Sequence, residues 1–225
     1  MATTLHFAGQ FEMPLAVQTL AAFRAWALSD DFPESGRIDY IAGRIDIDMS
    51  PEKFISHGRL KTAMIRSLEE WVDEQSLGYL VADSTRVSSV SGQVSSEPDL
   101  VFVAYDSLTS GKVKLTPSKR DPEDFVEVEG GPDLIVEIVS DRSVKKDTQD
   151  LPKAYFAAGV DEYWLADARG EEIVFQMHRR GDDGFEPIEA DAEGFQQSMV
   201  FQCGYRLSRT RDQRGYWRFR LERRD

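Results

Sequence analysis

Asp133-Leu134-Ile135-Val136-Glu137-Ile138-Val139 is the stretch on which the fold turns. Five apolar side chains surround one carboxylate, and such a run without alternation fits a strand covered on both faces. Burying an unpaired carboxylate costs on the order of several kcal/mol. Glu137 therefore needs a partner: a cation, a proton or a metal ion.

Working outward, Leu100-Val101-Phe102-Val103-Ala104 is a second run of the same kind, headed by Glu97-Pro98-Asp99, and Glu162-Tyr163-Trp164-Leu165-Ala166 is a third. Ser140 to Asp150 is polar. Leu151 to Gly159 reads as a helix, with Pro152 in its first turn and a glycine at its end. On this reading Asp150 is the cap, and Lys153 lies in the first turn. Apolar strands alternating with helices predict an α/β fold, a central mixed β-sheet flanked by helices. Nearer the N-terminus, 16–29 has helical composition, with Leu20, Phe23 and Ala27 on one stripe. Arg37–Ile41 and Arg44–Asp48 read as a hairpin around Ala42-Gly43. Ser50-Pro51-Glu52 signals a helix start, and the inward stripe that follows is His57, Leu60, Met64, Leu68 and Trp71. Residues 105–131 read as an excursion, and 172–178, 198–202 and 216–221 as late strands.

The 225 residues are enough for one sizeable core, and no repeat or low-complexity linker divides them. Residues 1–203 form the domain, with 204–225 as a basic extension and edge strand of it. No apolar run reaches ~18 residues, so no membrane-spanning helix is predicted. Cys203 alone cannot form an internal disulfide, and Met1 to His6 lacks a signal-like basic and apolar stretch, so a cytoplasmic location is expected. The net charge of −13 argues against broad attraction to nucleic acid or to an anionic membrane. It is unevenly spread: eight arginines and three acids leave 204–225 at +5, and the remainder at −18. Trp217, Phe219 and Leu221 alternate with Arg218 and Arg220. That pattern calls for a covered face, supplied by this subunit or by a second one, and it underlies an expected homodimer.

The chemistry rests on Asp99 and Glu137. On neighbouring strands these two can share a divalent ion, and hard oxygen donors favour Mg²⁺ or Mn²⁺ over zinc. Such an ion polarises a phosphoryl oxygen and lowers the pKa of its water, with a nearby lysine stabilising developing charge. The structural alternative is that each acid pairs with an arginine or caps a helix. His57 is either a site residue beside Asp99 or a hydrogen-bonded core histidine.

Four segments in this order carry a resemblance: Met49-Ser50-Pro51 with His57; Glu97-Pro98-Asp99-Leu100; Pro132 to Ser140; and Ala157-Ala158-Gly159-Val160-Asp161-Glu162-Tyr163-Trp164-Leu165. From Val17 to Val200 the chain resembles the Uma2 family (DUF820) of the PD-(D/E)XK nuclease-like superfamily. The resemblance implies a restriction-endonuclease-like core, Mg²⁺- or Mn²⁺-dependent hydrolysis of DNA phosphodiesters, and a site holding its metal on Asp99 and Glu137. His57 is accessory. The lysine two positions after the second acid is Val139 here, and the position where relatives carry a substitute is Leu151. Lys145, Lys146 and Lys153 remain, with Lys153 favoured as the catalytic lysine. Arg44 also stands where relatives have a glutamate. These departures sustain a rival reading, a catalytically silent binding or assembly module on the same fold.

Overall fold

The computed structural model describes residues 4–7, 11–119 and 121–225, so Met1-Ala2-Thr3 of the N-terminal reading lie outside them. The two central runs become neighbours. Leu134–Ile138 pairs antiparallel with Leu100–Ala104 and parallel with Glu162–Asp167. Gly78–Ala82 extends this sheet on one side, and Val174–Arg180 with Phe185–Pro187 on the other. The helix Leu151–Ala158 joins the parallel pair, as a parallel connection requires. It ends at Gly159 in the left-handed region, φ +95°. The chain entering Leu134–Ile138 passes so close that a Cβ on Gly131 would lie 2.3 Å from the carbonyl carbon of Gly159.

The α/β fold with its mixed sheet is as expected, and the chain adds a second six-stranded sheet, with a two-stranded and a three-stranded sheet besides. The second runs in the order Arg44–Asp48, Arg37–Ile41, Val94–Ser96, Arg86–Ser89, Phe125–Gly130, Val113–Pro117, and it too is mixed. Proline explains the split: Pro98 separates Val94–Ser96 from Leu100–Ala104, and Pro132 separates Phe125–Gly130 from Leu134–Ile138. Neither proline can donate a ladder hydrogen bond, so each path leaves one sheet and enters the other. The excursion at 105–131 resolves into the short helix Tyr105–Thr109 and two of these strands. The hairpin of 37–48 turns as expected, with positive φ at both Ala42 and Gly43.

Alternation along the central strands divides the core. Leu100, Phe102, Leu134 and Val136 face the long helix Leu60–Gln75 through Leu60, Met64 and Leu68. Val101, Val103 and Ile135 face the opposite way, toward Leu151 and Tyr155. Glu137 is two residues beyond Ile135, and Asp99 two before Val101. Both carboxylates therefore belong to the second face, where they are cross-strand neighbours in the register that pairs Leu100 with Val136.

Two helix starts differ from the reading. Ser50 does not cap the long helix, because its N–H and hydroxyl both bond to Asp48 Oδ1. Helical backbone begins instead with a wide, π-type turn at Phe54–Arg59. A second wide turn, Lys146–Asp150, runs into Leu151–Ala158, and Asp150 makes no capping bond. The late segment at 198–202 is a turn, not a strand. Gly204–Arg211 and Trp217–Arg224 form a hairpin laid on the long helix, with Phe219 and Leu221 in one core with Met64 and Leu68. The covered face that the alternation demands thus comes from this chain itself. Among the described residues no helix is long and apolar enough to cross a membrane.

Candidate functional site

Asp99 is fully buried, and both its oxygens are taken. Oδ2 accepts the backbone N–H of Ile138 at 2.7 Å. Oδ1 meets three basic groups: Arg37 Nη2 at 3.0 Å, Lys61 Nζ at 3.1 Å and His57 Nε2 at 3.4 Å. Burial pushes its pKa up, but the His57 hydrogen bond and the Arg37, His57 and Lys61 charges outweigh this and hold it far below the carboxylate range. The same pairing acts on its partners. Burial pulls Arg37 and His57 down, while Asp99, with the other acids nearby, more than restores each, so both pKa values are raised above their ordinary positions.

Glu137 is as deeply buried but has the opposite character. Burial raises its pKa well above the ordinary value, and the neighbouring charges of Asp147 and Asp99 add to that. These effects favour its protonated form, and Oε1 accepts from Tyr155 Oη at 3.1 Å. Asp147 lies in the wide turn before the helix, and burial pushes it up to about 7 despite the opposing charge of Lys146. Ser143 Oγ donates to its Oδ2, while Oδ1 is buried without a partner.

The wide turn also decides which lysine reaches the acids. Lys153, the favoured candidate, is exposed on the far side of its helix, as is Lys145 on the approach. Lys146 is buried instead, its Nζ 2.8 Å from Asp39 Oδ2, and the Asp39 charge leads the acidic neighbours that outweigh burial and raise its pKa. Arginines that could pair with the two acids lie elsewhere: Arg44 pairs at the exposed edge with Asp150 at 2.8 Å and Asp46 at 3.4 Å. Arg86 pairs with Glu97 and packs against the Phe23 and Phe32 rings. Neither spans Asp99 and Glu137.

Arg37 and Lys61 are the site residues that the sequence reading passed over, and each had left a signal. Arg37 precedes Asp39 by two on one strand, so they share a face. Lys61 follows His57 by four, on the apolar stripe of the long helix, where an unpaired ammonium would not be tolerated.

Above this layer opens a pocket of about 480 Å³, lined among others by Arg37, Lys53, His57, Arg142, Lys146 and Arg169. Asp99 and Glu137 lie beneath it and contribute no lining. Five carboxylates also reach the pocket, so its charge is mixed where the body of the chain is acidic.

Glu52, His57 and Asp99 offer ligand atoms within 4.8 Å of one another, the grouping that could hold a metal among the described residues. Its donors are not free. Lys61 Nζ already bridges Glu52 Oε1 at 2.9 Å and Asp99 Oδ1 at 3.1 Å, and Arg37 occupies the second approach to Asp99. Glu137, a metal ligand in the sequence reading, would have to give up its proton first. A divalent ion needs deprotonated, accessible oxygens, and these residues as arranged do not fit one.

The chain is similar in structure to a "putative nuclease belonging to DUF820" from Anabaena variabilis, with a TM-score of 0.59 at 20% identity, covering 82% of this chain and 90% of that one. The likeness extends the fold to a solved structure. No curated protein matches the chain. The model of the Uma2 family, described as "Putative restriction endonuclease", matches residues 20–210, most of the chain. By that match, the protein belongs to the Uma2 family.

Proposed function

We propose that this chain is a nuclease-fold module that holds a nucleic-acid phosphate in the pocket above Asp99 and Glu137 without cutting the backbone. The observation that carries the reading is the state of Asp99, whose two oxygens are committed to a backbone N–H and to the protein's own cations. The cations are left with donors to spare. Among the described residues Arg37 uses one N–H on Asp99, out of the five a guanidinium carries, and Lys146 uses one of three on Asp39. A phosphate oxygen entering the pocket meets these spare donors and the His57 imidazole, whose pKa is raised beside Asp99, all oriented by the acids behind them. The mixed lining offsets, at this one place, the repulsion that an acidic body exerts on a polyanion.

A second reading, Mg²⁺- or Mn²⁺-dependent hydrolysis of DNA, draws on one observation. Asp99 and Glu137 are cross-strand neighbours, with His57 and Lys146 on the pocket above them. Fluorescence anisotropy with labelled single- and double-stranded DNA, beside a nicking assay with either metal, separates the two. The expected result is salt-sensitive binding, weakened by Arg142→Ala at the exposed rim, with no cleavage. Metal-dependent nicking that Glu137→Gln abolishes would replace the first reading by the second, and no binding at any salt would remove both.

A further inference from the structure

Lys61 is an unusual lysine. Its side chain is only 5% exposed, in the first turn of the long helix, and its ammonium lies among three carboxylates from three parts of the chain. Asp83 Oδ1 is 2.5 Å away, Glu52 Oε1 2.9 Å and Asp99 Oδ1 3.1 Å. Asp83 is brought there by a strained loop, since it and Ser84 both take positive φ, of 50° and 54°. His57, one helical turn earlier, adds a nitrogen 3.4 Å from the same Asp99 oxygen.

We propose that the Lys61 ammonium is a resident cation filling a cluster of carboxylates that would otherwise take a divalent metal, and that removing it opens a site for Mn²⁺. Three oxygen donors converging on one buried point, with an imidazole at the rim, are the donor types that Mn²⁺ accepts. Such a cluster of acids is stable only with positive charge at its centre, and here the chain supplies that charge covalently. An ammonium sits 2.5–3.1 Å from these oxygens, whereas a small divalent ion draws them to about 2.1 Å. The cage therefore needs only slight contraction to exchange one cation for the other. This goes beyond the phosphate-holding reading, because it concerns the cation and stands whether or not nucleic acid binds.

The test is Mn²⁺ binding, by calorimetry and by loss of the free-ion electron paramagnetic resonance signal. The proteins are the full chain, Lys61→Ala, Lys61→Met and the double variant Lys61→Ala/Asp83→Asn. The wild type is expected to show no saturable binding. Lys61→Ala is expected to bind one Mn²⁺ per chain at least tenfold more tightly than any wild-type uptake, and to melt at higher temperature when the ion is added. Asp83→Asn is expected to cancel both gains. Lys61→Met keeps the bulk of the stem, so it guards against collapse of the cage. If a variant folds only when Mn²⁺ is present, that supports the proposal equally. Wild-type binding as tight as that of Lys61→Ala overturns it. So do folded Lys61 variants that take up no Mn²⁺, and so do variants that stay unfolded with the ion present.

Discussion

Asp99→Asn and Glu137→Gln, each removing one buried carboxylate from adjacent strand positions, should have opposite consequences for stability. Asp99 is ionised and balances Arg37, Lys61 and His57 on a single oxygen. An asparagine leaves those cations buried with one neutral carbonyl between them. It also turns an amide against either a cation or the Ile138 N–H, which is itself a donor. Breaking a buried pair in this way costs about 3–5 kcal/mol, a large share of the roughly 5–15 kcal/mol that holds a domain together. Glu137 by contrast is pushed toward its protonated form by burial and by Asp147 and Asp99, and glutamine retains the carbonyl that accepts from Tyr155. Its loss should stay within about 1 kcal/mol. Urea denaturation at neutral pH, followed by circular dichroism with the slope checked for constancy, measures both values. Equal costs would refute the assignment of charge. So would a Glu137→Gln loss above that of Asp99→Asn, since it would mean that Glu137 is the ionised, partnered acid.

Two further predictions follow from burial. Asp147 has its pKa raised to about 7, against an unfolded value near the ordinary 3.8, so the folded state holds its proton more tightly. The favourable contribution is thus present below the unfolded pKa and is lost as pH rises between about 4 and 7. Asp147→Asn should remove that slope and leave the variant on the order of 2–4 kcal/mol more stable relative to wild type at pH 8 than at pH 4, read from paired denaturation curves; parallel pH profiles would count against it. Truncation after Cys203 removes Tyr205, Leu207, Phe219 and Leu221 from the core under the long helix. At about 1.5–3 kcal/mol per buried side chain the loss rivals total stability, so the truncated chain should lack a cooperative melt, and a sharp one near the wild-type temperature would refute this.

What could be read from the sequence was local. The uninterrupted apolar runs at 100–104 and 134–138, the glycine stop at 159 and the Ala42-Gly43 turn each state their own structure within a few residues, and all four hold. The pairing of Asp99 with Glu137 was legible because two buried-type strands, each with one acid, leave few other arrangements. Identifying which acids are charged was not. Glu162 also lies within a central strand, yet it accepts from Trp164 Nε1, Ser198 Oγ and the N–H groups of Met199 and Val200, and so serves as a latch for the turn at 198–202. Only Trp164 among these donors is near in sequence; the other three arrive from 36 to 38 residues away, where a local reading does not reach. Lys146 was among the candidate lysines but ranked below Lys153, for a different reason. Its burial depends on a π-type turn, and helical phase counted at 3.6 residues per turn puts side chains on the wrong side once the turn widens.

The arrangement of charge in the site follows from these distant arrivals. Acids at 39, 97, 99, 137 and 147 gather at one end of the sheets, and their mutual repulsion has to be met in one of two ways. Asp39, Glu97 and Asp99 are met by cations, from Lys146, Arg86 and the group of Arg37, Lys61 and His57. Glu137, raised by burial and by the charges of Asp147 and Asp99, and Asp147, raised chiefly by burial, are met by protons. A divalent ion would have to displace both kinds of compensation together: the proton on Glu137 and the lysine or arginine on Asp99. That double requirement, more than the missing lysine at position 139, is the physical obstacle to metal-dependent cutting by this chain.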